Sequence, residues 1–259
     1  MIKERIIRKL TELTGHTHIE ILNRGNAAIT AALKLAKNKI LIPEEGGWLS
    51  YRRFPTILEV KTNDAVIDLE DLKDKSKEGD LFIYQNPGGY FAEQPMKEIY
   101  QICKHNDCLV VLDVSGSIGT KLGTGEYADI LVGSFGKWKL VDALVGGFIS
   151  CKEKELFIQL ETNDVLSDPE SLKKIKIGLN NLDQRIKFLL ERREKVIADL
   201  KNHNVLHKDH LGFVVVVEYQ NLKEKEKLIN YCVNNQLEYT ECPRYIRINK
   251  NAISIEIKR

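Results

Sequence analysis

Apolar residues recur along this chain in two rhythms. Ile6, Ile7, Leu10 and Leu13 share one helical face and Gly15 follows them, so an amphipathic helix capped by glycine is expected at the start. Short apolar runs then alternate with helical stretches. Strands are expected at residues 18–22, 39–42, 56–60, 81–84, 108–113, 129–132 and 147–150, with helices at 27–36 and 95–106 and a turn at Gly25-Asn26. The runs are continuously apolar rather than alternating, which implies a sheet covered on both faces. Residues 1–150 therefore read as a large α/β domain with a mainly parallel sheet flanked by helices, in which ligands bind outside the carboxyl ends of the strands. Past residue 150 the rhythm changes. A charged stretch leads into a long amphipathic helix from Leu182, then a strand at 213–219, a helix at 222–235 and strands at 245–248 and 252–257. Residues 151–259 read as a small C-terminal α+β domain.

Composition narrows the class without choosing a function. The 259 residues are 43% hydrophobic and 29% charged, as in an ordinary soluble domain. The net charge of +2 makes no case for a nucleic-acid or membrane partner. Five scattered cysteines without a C-x-x-C argue against a disulfide framework and a metal site, and fit a reducing cytoplasm. No apolar run is long enough to span a bilayer.

The strand ends carry the chemistry. Gly25 and Asn26, Trp48, Asn86, Asp113 with Ser115 two residues on, Ser134, Lys137 and Lys139 all follow or close an expected strand. Together they supply what pyridoxal 5'-phosphate needs. A lysine amine forms a Schiff base with the aldehyde, and a buried carboxylate keeps the pyridine nitrogen protonated. Backbone N–H groups at a helix start and a hydroxyl hold the phosphate, and a flat aromatic covers the ring. Each residue also has a plainer reading. Trp48 could be a packing aromatic, Gly25-Asn26 a simple helix start, and either lysine a solvated surface residue.

The ordered set resembles the fold-type-I pyridoxal-phosphate-dependent transferases, the aspartate aminotransferase superfamily. "RGNAAITAAL" is similar to the phosphate-cup turn and helix, and "NPGG" to the N-P-x-G whose Asn bonds the ring hydroxyl. "VVLDVSGSIG" is similar to the strand ending in the pyridine-nitrogen Asp, and "SFGKWKLVDALVGGF" to the Schiff-base segment. The last is nearest the DegT-like sugar aminotransferase branch, where the lysine stands five residues after a phosphate-binding Ser and eight before the second Gly of a pair. Lys139 has that register against Ser134 and Gly147. Lys137 is the alternative, through the S-x-S-K of amino-acid aminotransferases.

The resemblance implies an aminotransferase acting on an amino acid or keto acid or an amino sugar, in a homodimer. Lyase, decarboxylase and desulfurase chemistry stays open, as does a degenerate member that binds without turnover. "RYIRIN" resembles the strand that supplies a substrate-carboxylate arginine, which makes Arg247 the candidate; its other reading is an ion pair with an acidic neighbour. One departure stands out, because the sugar branch has a polar residue where this chain has Gly116. A rival reading takes Asp113, Ser115 and Ser117 as the D-x-S-x-S cation site of adhesion domains. His207 and His210 could also hold a metal, although no further ligand cluster supports them.

Overall fold

A computed structural model describes residues 1–259. Helix α1 (Ile2–Thr14) buries Ile6 and Leu10 and ends where Gly15, at φ 78°, donates its N–H to the Thr11 carbonyl. That left-handed cap is favoured by glycine. The chain continues through β1 (His18–Leu22), α2 (Gly25–Leu33), β2 (Ile40–Pro43), a 3₁₀ turn (Leu49–Arg53) and β3 (Ile57–Val60). A two-residue-per-strand hairpin, β4 (Thr62–Asn63) and β5 (Val66–Ile67), precedes α3 (Leu69–Lys75). Asp68 caps α3 by accepting the N–H groups of Glu70 and Asp71, a contact worth about 1 kcal/mol. Then come β6 (Leu81–Gln85), α4 (Met96–His105), β7 (Leu109–Asp113), β8 (Ile130–Ser134) and β9 (Gly147–Cys151).

These strands form one seven-stranded sheet in the order β1-β9-β8-β7-β6-β2-β3. All pairings are parallel except those of β9, which runs antiparallel to both β1 and β8. Both faces are covered, as the continuous apolar runs require. Phe82, Tyr84, Val110, Leu112 and Leu131 pack with Ile6 and Leu10 of α1 and Ile99 of α4. On the other face Ile83, Val111 and Val132 pack with Ala28, Ile29 and Ala32 of α2. Strand alternation carries this second row onward to Gln85, Asp113 and Ser134, the last residues of three neighbouring strands. Gln85 and Asp113 are direct partners across the ladder.

The remaining elements are α5 (Lys154–Ile158), α6 (Pro169–Asn180), α7 (Leu182–Asp199), β10 (Asn204–Val205), β11 (Val215–Glu218), α8 (Leu222–Asn234), β12 (Tyr239–Glu241) and β13 (Ala252–Ile255). A second, antiparallel sheet has the order β10-β11-β13-β12. One of its faces packs Val215, Val217, Ile253 and Ile255 with Val196 of α7 and Leu228 of α8. The other packs Val214, Val216 and Ala252 with Tyr90 and Phe91 from the loop after β6. No helix is long and apolar enough to cross a membrane.

The expected strand at 245–248 is a turn instead. Arg247 donates its N–H to the Arg244 carbonyl, and Arg244 donates to the Ile248 carbonyl. The residues of this turn from Ile246 to Ile248 are buried, which mimics a strand pattern. The edge strand lies upstream, as β12, and Pro243 after it has no N–H with which to extend the ladder.

Candidate active site

Seven of the strand-end residues come together around one small cavity of about 40 Å³: Gly25, Asn26, Trp48, Asp113, Ser115, Ser134 and Lys139, with Ile29 and Tyr90 completing the wall. One end of this cavity is the start of α2. The first N–H groups of a helix have no acceptors within it and aim along its axis, so this end favours an anion. Gly25 lets it approach the next strand closely, since a Cβ there would lie 2.6 Å from Ser134 Cβ. The Ser134 hydroxyl accepts the Gly136 N–H at 3.3 Å. Asn26 is fixed by the Trp48 indole, whose Nε1–H donates to its Oδ1 at 2.9 Å.

Asp113, buried at the end of β7, also lines the cavity. Tyr51 donates its hydroxyl to Oδ2 at 2.7 Å, and the Ser115 N–H donates to Oδ1 at 2.9 Å. Each oxygen thus has a donor, and the carboxylate is held in one orientation. Burial, then the Asp113 charge, pushes the Tyr51 hydroxyl well above the usual tyrosine range, so it remains a donor.

Lys139 lines the same cavity as Asp113, from the loop between β8 and β9. Its ammonium lies 4.9 Å from the centre of the Trp48 ring, and it donates to the Tyr90 hydroxyl. Its loop is braced by α7. Arg185 Nε donates to the Lys139 carbonyl at 3.2 Å, and its Nη2 pairs with Asp142 at 3.2 Å. Lys137 is exposed and stands away from the cavity, its ammonium 4.4 Å from the centre of the Trp138 ring.

Two further candidates lie outside the cavity wall. Asn86 is fully buried beside Asp113, to whose carbonyl it donates its N–H at 3.3 Å; its Oδ1 accepts the Gln94 N–H at 3.1 Å, and its Nδ2 has no partner. Arg247 does not line the cavity and takes the ion pair that was its other reading. Its Nη2 donates to Glu256 at 2.6 Å, Nε to the Ser254 hydroxyl at 2.9 Å and Nη1 to the Ile246 carbonyl at 2.8 Å. Burial pushes Glu256 up, but Arg247 and Lys258 outweigh it and hold this carboxyl at about 2.

The rival readings find less support in the geometry. Ser117 turns its hydroxyl away from Asp113, toward the Leu122 carbonyl at 3.4 Å. His207 and His210 stack on each other, and His207 Nε2 is 2.7 Å from the Asp64 carbonyl while His210 Nδ1 accepts the Glu93 N–H. Three other residues matter that the sequence did not single out: Tyr51, Tyr90 and Lys258. Tyr51 had one signal, standing three residues after Trp48 in "WLSY". Tyr90 explains the Gly116 departure, because a Cβ at 116 would lie 2.6 Å from its Cδ1.

Comparison with solved structures follows the same plan. A protein of Streptococcus pneumoniae classed as a sugar aminotransferase, in its PLP form, superposes with a TM-score of 0.79 at 13% identity, over 99% of this chain and 86% of that one. This chain has the fold of the type I pyridoxal-phosphate transferases. A 3-amino-5-hydroxybenzoic acid synthase aligns over 99% of this chain and 85% of its own, with TM-score 0.77 and 14% identity. The serine palmitoyltransferase of Sphingomonas wittichii aligns over 98% and 70%, with TM-score 0.75 and 15% identity. At these identities the likeness to type I transferases is one of fold. In sequence, the model of the MJ1341 family C-terminal domain matches residues 179–259. No curated protein matches the chain.

Proposed function

We propose that this chain is a pyridoxal-phosphate-dependent enzyme, an aminotransferase acting on an amino acid or keto acid or an amino sugar. The observation that carries the reading is the grouping of a lysine amine, a fixed carboxylate and a helix start with its serine around one cavity. The residues fit the cofactor on chemical grounds. The α2 N-terminus and Ser134 suit a phosphate, and the space left by Gly25 suits its close approach. Asp113 suits a protonated ring nitrogen, Trp48 a ring face, and the unpartnered Asn86 Nδ2 a ring oxygen. Ser115 supports the Asp113 carboxylate through its backbone N–H.

Bound there, the cofactor would supply an electron sink for a carbanion at the substrate. The chain's own part is positional and acid–base. Lys139 Nζ would hold the cofactor's aldehyde carbon and, as a free amine, would take and return the substrate proton. Asp113 holds a proton on the ring side with Tyr51 fixing its direction. The cavity as it stands suits a water rather than a ring, so Tyr90 and Lys139 part on binding. A member of this fold that binds without turnover is the second reading, favoured by that same closed contact.

Residues 1–150 serve in this proposal as the cofactor-binding domain and 151–259 as the small domain, in a cytoplasmic homodimer. Exposed Leu144, Ile177 and Phe188, which flank the groove beside the Lys139 loop, suit a second copy. The test is the near-visible spectrum of the purified protein with pyridoxal phosphate, followed by borohydride reduction and peptide mass mapping. A new band and a fixed adduct on the peptide holding Lys139 support the reading. Neither band nor adduct would leave a different α/β binding protein.

A further inference from the structure

The charges around the Tyr90 ring do not balance. Lys258 Nζ lies 3.2 Å from the ring centre and Arg247 Cζ 5.3 Å, while Lys139 approaches to 4.8 Å and donates to the hydroxyl. The nearby carboxylates are already committed. Glu256 pairs with Arg247 at 2.6 Å and with Arg259 at 3.6 Å, and Asp113 is bound by Tyr51 and Ser115. No carboxylate lies within ion-pair distance of Lys139 or Lys258; Glu256, the carboxylate whose charge reaches Lys258, is shared with Arg247 and Arg259, so cations outnumber carboxylates beside the ring.

Lys258 is held there by its main chain. Helix α7 clamps the segment after β13: Arg185 Nη2 donates to the Lys258 carbonyl at 3.5 Å, and Arg192 Nη1 to the Ile257 carbonyl at 2.8 Å. Burial, with Arg247 beside it, holds the ammonium well below the usual lysine range. A half-buried ammonium without an acceptor is costly, and cation–π attraction offsets only part of that cost. An incoming anion would remove the deficit. The same Arg185 braces the Lys139 loop, so the two lysines are positioned from one helix.

We propose that Lys258 is the anchor for the carboxylate of the amino substrate, the task Arg247 cannot perform while it is bound to Glu256. This rests on the reading of Lys139 as the reacting amine. An α-carboxylate on Lys258 would draw the adjoining carbon to the Lys139 side of Tyr90. Arg247 is then a structural partner that fixes Glu256 beneath the turn. The substrate class becomes amino acids and keto acids rather than uncharged amino sugars.

The experiment titrates succinate, an unreactive carboxylate, into cofactor-loaded protein by calorimetry, with cofactor content read by absorbance. Lys258→Gln is expected to bind succinate at least about tenfold more weakly, a change of about 1.4 kcal/mol, while Lys258→Arg stays within about threefold of wild type. Cofactor content should be equal in all three proteins. Equal succinate affinity in Lys258→Gln, or no succinate binding by loaded wild type, overturns the proposal. Lys258-dependent binding of inorganic phosphate in place of succinate also overturns the carboxylate assignment. If wild type takes up no cofactor, the enzyme reading falls and this proposal falls with it.

Discussion

Tyr51 donates to Asp113 Oδ2 at 2.7 Å, which joins the turn after β2 to the end of β7 through a buried, charge-assisted hydrogen bond. Tyr51→Phe would leave one carboxylate oxygen buried without its donor. The expected loss of stability is about 1–3 kcal/mol, measured by urea unfolding. Asp113→Asn keeps the shape but removes the charge that a protonated ring nitrogen requires. It should stay folded and bind pyridoxal phosphate at least about tenfold more weakly. Unchanged cofactor affinity in Asp113→Asn would take the carboxylate out of the proposed site.

The two lysines of "GKWK" make opposite predictions. Lys139 lines the cavity, and Lys137 lies outside it on the Trp138 ring. Lys139→Ala should lose the borohydride-fixed adduct, whereas Lys137→Ala should retain it. Mass mapping of both variants decides between them, and the reverse pattern would move the reacting amine to Lys137.

Much of the fold was legible because a strand buried on both faces has to be apolar throughout. That pattern located the seven strands of the large sheet to within a residue or two, but it carries no direction, so the antiparallel course of β9 was not readable. Helix α6 was missed although Asp168 and Pro169 mark its start, because its charged positions resemble a loop. The strand-end rule, which needs only local sequence, put forward Asp113, Ser134 and both lysines, and the family register preferred Lys139. Tyr90 and Lys258 had no such signal. They meet because the second sheet packs on the loop after β6, and no residue near Lys258 in the chain reports that contact. For Arg247 the sequence offered both a substrate role and an ion pair with an acidic neighbour, and it could not name Glu256, which lies across a turn and a strand.

Gly25 tests how closely α2 must approach β8. A Cβ there would lie 2.6 Å from Ser134 Cβ and 3.1 Å from its Cα, so backbone has to yield. Gly25→Ala should cost about 1–3 kcal/mol in thermal or urea unfolding and also weaken cofactor binding. At Gly136 the nearest atom is the Ser134 hydroxyl at 3.4 Å, an ordinary contact. Gly136→Ala should cost less than about 1 kcal/mol. Similar losses at both positions would mean that the close approach contributes nothing special.

The Arg247–Glu256 pair predicts a dependence on acid. Glu256 is held at about 2 in the folded protein against an unfolded value of 4.5, so between these limits the unfolded chain binds more protons. The stability this pair contributes is therefore complete above pH 4.5 and is lost as pH falls toward 2, by about 3 kcal/mol in all. Glu256→Gln removes the titration and leaves the buried guanidinium without its counter-charge, a loss of about 3–5 kcal/mol at neutral pH. Urea unfolding of wild type and variant at neutral and acid pH should find the gap narrowing as Glu256 protonates in the wild type. A gap that stays constant into the acid range would mean that Arg247 draws its stability from the Ser254 and Ile246 hydrogen bonds and not from the charge.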